Sequence, residues 1–146
     1  MKEKAKALKA LARLGDALLN LVYSLTLSLA TGKPQGVKVP DSLLAEIARR
    51  LNVKKRLGMS RASEDELADA IEAIFAAAWL GGIIDLAPLC LELAQGIPRD
   101  IPPSRAEALK LITSNLGRIL EKLIEEVSVD SCLESFGELL RRRLES

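Results

Sequence analysis

Any chemistry in this sequence has to come from carboxylates, lysines or hydroxyls. There is no histidine, which removes Ser-His and Cys-His nucleophile pairs and histidine-ligated zinc. Cys90 and Cys132 lie far apart among apolar residues and form no CxxC pair. That pattern reads as buried thiols rather than as a disulfide, and it suits a cytoplasmic protein. The acids with telling spacing are Asp69 and Glu72, within "DELADAIEAIFAAAWLGG". On a helix they fall about 60° apart on one face. Asp65 lies between them in angle, one turn earlier, and the same face continues through Ala73, Ala76 and Trp79. From Ala73 to Ile84 there is no charge, as in a buried helix.

Two readings of these acids stand side by side. Glu64, Asp65 and Glu66 suit the first turn of a helix, where negative charge complements the dipole. Asp69 and Glu72 come a turn later, where that effect fades. An unpaired buried carboxylate is costly, and a bound cation would offset the cost. Oxygen-only ligands point to a hard ion such as magnesium or manganese. Asp16 has a related placement. It follows Gly15 in "ARLGDALLN", inside a leucine-rich helix where glycine costs roughly 1 kcal/mol relative to alanine. Leu8, Leu11, Leu14, Leu18, Leu19, Leu21, Val22 and Leu25 form a broad apolar arc, and Asp16 stands just beyond its edge. Gly15 permits close approach of another helix. The bland alternative for Asp16 is a surface pair with Arg13.

The elements that must position these acids are helices. The 146 residues suffice for one domain with a real core, and the net charge of +1 gives no overall basic field. The N-terminus has the basic start and apolar middle of a secretory signal, but Glu3, Arg13 and Asp16 break it. The uncharged run 17–32 contains Asn20 and several Ser and Thr, and is shorter than the ~20 apolar residues of a membrane span. A first helix is expected from about Glu3 to Ala30, then a turn in "TGKPQGVKVPD". Asp41 or Ser42 is expected to cap a second helix, "SLLAEIARRL", followed by a short polar connection. Ser63 and Glu66 form a capping box for a third helix that stops at Gly81-Gly82, and "IDLAPLCLELA" makes a shorter one. "QGIPRDIPPS" marks the internal boundary. Beyond it a second box, Ser104 and Glu107, opens a helix to about Glu126, and a last helix runs from about Asp130 to Leu144. Apart from the brief "GVKV" there is no alternating pattern, so the fold is expected to be all-α, with a domain over 1–100 and a helical extension over 101–146.

"LARLGDALLNLVYS", "LLAEIARRLNVKKRLGM" and "DELADAIEAIFAAAWLGG" resemble, in that order, three signature stretches of the ribonuclease III catalytic domain. The resemblance covers roughly residues 8–85, and the compact length looks like the stand-alone archaeal members. It implies an all-α homodimer that cleaves double-stranded or structured RNA with Mg2+ or Mn2+ held by four carboxylates. By that resemblance Asp16, Asp69 and Glu72 are metal ligands and catalytic residues, with Glu72 most involved in the catalytic metal.

The departures are specific. The fourth carboxylate is expected four positions before Asp16, where Ala12 stands. Lys9 replaces a second glutamate, and Arg13 replaces an aromatic that the family uses at its dimer interface. A ribonuclease III fold that has lost catalysis and serves in RNA binding or assembly is therefore the alternative, and a helical interaction protein a third. The tail after Pro103 reads as two helices, not as a double-stranded RNA-binding domain. RNA contact falls to local basic groups: Lys2, Lys4, Lys6 and Lys9, Arg49-Arg50, Lys54-Lys55-Arg56, and Arg141-Arg142-Arg143.

Overall fold

A proline-free N-terminal stretch gives helix α1, Lys2–Thr31. The computed structural model describes residues 2–99 and 104–146, and every regular element among them is helical. The side chains of Lys2 and Lys4, and Pro102 and Pro103 of the boundary segment, lie outside the described residues. After α1 come α2 (Asp41–Arg50), the single turn α3 (Val53–Arg56), α4 (Glu64–Leu80) and α5 (Leu86–Gln95). Then follow α6 (Arg105–Leu123), a 3-10 turn (Ile124–Glu126), α7 (Val129–Glu134) and α8 (Phe136–Glu145).

Helix α4 is the centre of the molecule. Its run from Ala70 to Ala78 is buried without interruption, so its neighbours surround it. It packs chiefly against α1 and α2, with α7 and α8 at its other side, while α5 and α6 lie on α1 and α2. Ser63 caps α4 with a complete box: its Oγ accepts from the Glu66 amide at 3.2 Å, and its own amide donates to Glu66 Oε1 at 3.2 Å. At Ser104 only one half of the expected box is formed, the Glu107 amide donating to Ser104 Oγ. Tyr23, fully buried, shares a 2.7 Å hydrogen bond with Thr113 and ties α6 to α1. Cys90 and Cys132 are free and buried, and burial raises the pKa of both thiols.

The segment between α1 and α2 is held by an unusual ladder. Asn20, Ser24 and Ser28 recur every fourth residue on one stripe of α1. Their side-chain oxygens accept from alternate amides of the extended segment: Val39 at 2.8 Å, Val37 at 2.9 Å and Gln35 at 2.8 Å. The strand-like "GVKV" thus satisfies its backbone on helix side chains, and no strand forms among the described residues.

Several expected boundaries move. Asp41 is not a cap: α2 starts at Asp41, and the preceding Pro40, in an extended conformation, offers its carbonyl to the Leu43 amide at 3.1 Å. The expected last helix is broken at Ser135, which leaves helical geometry (φ −116°, ψ 26°) and separates α7 from α8. Leu21 and Leu25, counted in the core arc of the first helix, are exposed at 46% and 48% and continue to Leu29. That arc is wider than the neighbours of α1 can cover. By length and composition alone Lys6–Thr31 could cross a membrane, but Leu8, Leu11, Leu19 and Val22 on its inner face belong to the common core.

Candidate metal centre

The site is built from the closest approach of α1 and α4. A β-carbon placed on Gly15 would lie 1.9 Å from the Glu72 carbonyl oxygen and 2.9 Å from its Cα. Only glycine lets the two backbones meet there, which is why the helix tolerates its conformational cost. The same contact brings Asp16, the next residue of α1, to the acids of α4.

Asp16, Asp69 and Glu72 line one open cavity of about 630 Å³. Glu72 is buried at 5% exposure, and Asp16 and Asp69 are half-buried. Asp41 lines the same cavity from the start of α2, and Ala12 lines it from α1. Ala12, one turn before Asp16, is 4% exposed and belongs at once to the core and to the cavity wall. Asp65 is not on that wall; it is exposed, and its charge helps to raise the Asp41 pKa. Asp16 has no ion pair with Arg13 among the described residues; Asn20 Nδ2 donates to its Oδ1 at 3.3 Å. Asn20 also accepts from the Val39 amide, so one side chain links the acid to the segment that carries Lys38, Pro40 and Asp41 to the cavity.

The sequence alone does not mark Asp41 as a candidate site residue, because an acid at the start of a helix has a sufficient explanation there. The extended segment's return along α1 brings it to Asp16, and the spacing of Asn20, Ser24 and Ser28 was the faint signal of that return. Lys38 reaches the cavity on the same segment, and Arg13 reaches it from α1.

The cavity disfavours charge on its carboxylates, through burial and through one another, and Lys9 and Lys38 offset this only in part. Burial, the adjoining Asp16 carboxylate, and then Asp69 and Asp41, push the Glu72 pKa from 4.5 up to about 8. Asp69 is also raised by burial, against the opposing charge of Lys9. Asp41 is raised by burial and by Asp65, with Lys38 opposing. Among the described residues no three Asp, Glu or Cys side chains stand in position to hold one ion. Asp16 is engaged by Asn20. The donor set itself suits a hard divalent cation: it is oxygen only, partly buried and open to solvent. Such an ion would offset the burial and the neighbouring negative charge that raise Glu72.

No curated protein matches the chain. The family model described as Ribonuclease III matches residues 9–130, from the first cavity residue of α1 into α7. Members of that family act on RNA and generally use a divalent metal. The match takes in the Gly15–Glu72 contact, every acid on the cavity wall and well over half of the sequence, and the chain therefore belongs to the ribonuclease III family.

Proposed function

We propose that this chain is a metal-dependent endoribonuclease that hydrolyses phosphodiester bonds in double-stranded or structured RNA, using Mg2+ or Mn2+. The observation that carries the reading is the single cavity shared by Asp16, Asp69 and Glu72, which come from two helices pressed together at Gly15. Those three residues would hold the cation, and Asp41 would serve as a fourth carboxylate in place of the one missing at Ala12. When bound, the cation supplies positive charge against the phosphoryl transition state and acidifies attacking water. The chain's own residues do the rest. Asn20 fixes the Asp16 carboxylate. Burial and the adjoining Asp16 push the Glu72 pKa up to about 8, so its carboxyl would favour the protonated form near neutral pH, and a bound cation would favour loss of that proton. Ala12 leaves room at the cavity wall.

The working form is proposed to be a cytoplasmic homodimer. Leu21, Leu25 and Leu29 make an exposed stripe on α1, and Leu91 on α5 is also exposed, at 56%. An exposed apolar stripe of this kind suits a protein–protein contact, and a second copy of the chain is the partner proposed.

A second reading is favoured by Ala12 itself: with one carboxylate fewer, the protein binds RNA without cutting it. Incubation with double-stranded RNA over a titration of Mg2+ and Mn2+ separates the two. Cleavage that Asp69→Asn abolishes supports the enzyme. Binding without cleavage at any metal concentration supports the second reading.

A further inference from the structure

The acidic cavity has a basic rim. Lys9 and Arg13 on α1, and Lys38 on the returning segment, line it beside the carboxylates, and all three are exposed. Among the described residues none of them enters an ion pair. Arg49, Arg50, Arg56, Arg142 and Arg143 are each engaged by a carboxylate instead, with Glu64, Glu121, Glu125, Glu138 and Asp85. An adjoining cavity of about 310 Å³ shares Lys9 and Asp69 and adds Lys6, so the basic edge continues along α1. Lys9 and Arg13 are one helical turn apart, a spacing at which like charges repel. An anion lying across both relieves that repulsion. A phosphodiester is also repelled by the acids below, so a strand entering this cavity needs positive charge at its mouth.

We propose that Lys9, Arg13 and Lys38 anchor phosphates of the RNA strand at the mouth of the carboxylate cavity. The chain then holds its substrate directly, and not only through a cation. The proposal rests on the reading of the cavity as a ribonuclease site. It also accounts for two departures from the family pattern, Lys9 and Arg13, as an exchange of function at the rim.

Binding of a fluorescein-labelled double-stranded RNA is measured by anisotropy in EDTA, between about 50 and 200 mM KCl. Compared are the wild type, Lys9→Gln, Arg13→Gln, Lys38→Gln, the triple variant, and Lys110→Gln on α6 as a control. Thermal melts establish that each variant is folded. The expected result is metal-free binding by the wild type. Each rim variant should lower the slope of log K against log salt by about 1, and the triple variant should lose most of the affinity. The control should match the wild type. Rim variants with wild-type affinity and slope overturn the proposal, as does a wild type that cleaves RNA with metal but does not bind it in EDTA. A wild type that neither binds nor cleaves overturns the ribonuclease reading itself.

Discussion

At Gly15 a single hydrogen atom decides how close two helices come. Gly15→Ala would drive a methyl group into the Glu72 carbonyl, and backbone atoms cannot turn aside as a side chain can. We expect a loss of about 2–3 kcal/mol in urea unfolding, together with weaker divalent-metal binding because Asp16 moves away from Glu72. Glu72 carries a pH signature. Its folded pKa of about 8 lies above the ordinary 4.5, so protonation favours the folded, metal-free chain. The contribution is complete below about pH 4.5 and is lost as pH rises through about 8. In EDTA the melting temperature of the wild type should therefore fall more steeply between pH 6 and 9 than that of Glu72→Gln, and saturating Mn2+ should flatten the wild-type curve. Equal slopes would remove this account of Glu72. Ala12→Glu places a carboxylate at the cavity wall; calorimetric titration should show tighter Mn2+ binding, whereas a folding defect without that gain would mean the position serves the core alone. Much of this site could be read from the sequence, because Gly15 and Asp16 are both poor residues for a helix interior and Asp69 and Glu72 enter an uncharged run. Asp41, Lys38 and Arg13 could not be, because each has an adequate local explanation and only the returning segment and the packing of α1 bring them to the cavity.

Helix starts were the most legible elements, since a capping box is local chemistry written in adjacent residues. Ser63→Ala removes the acceptor for the Glu66 amide and should cost about 1 kcal/mol in chemical denaturation. The helix break at Ser135 was hidden because apolar residues continue on either side of it at compatible spacing. The ladder of Asn20, Ser24 and Ser28 was hidden for a different reason: on a helix these residues look like polar interruptions of an apolar run. Their partners are amides, which leave no mark in the sequence. Asn20→Ala strips the Val39 amide of its acceptor and Asp16 of its donor. We expect a loss of about 1–2 kcal/mol in stability and faster hydrogen exchange at the Val39 amide. Exchange at wild-type rates would separate the segment from the helix stripe.

For the molecule as a whole, the all-α class followed from the absence of alternation and from periodic leucines, and it is what the fold shows. Periodicity does not say which leucines find cover. Leu21, Leu25 and Leu29 repeat at the same interval as the core residues, yet lie open. If they bury against a second copy, Leu25→Asp should convert a dimer to a monomer in light scattering while the melting transition stays cooperative; an unchanged mass would assign that face to something else. Apart from the assembly, Asp16, Asp69 and Glu72 are proposed to hold one divalent cation between them. Anomalous scattering from crystals grown with Mn2+ tests it most directly. One manganese peak is expected in the cavity, with oxygens of all three residues within about 2.6 Å of it. A peak held by other residues, or an empty cavity at saturating Mn2+, would contradict it.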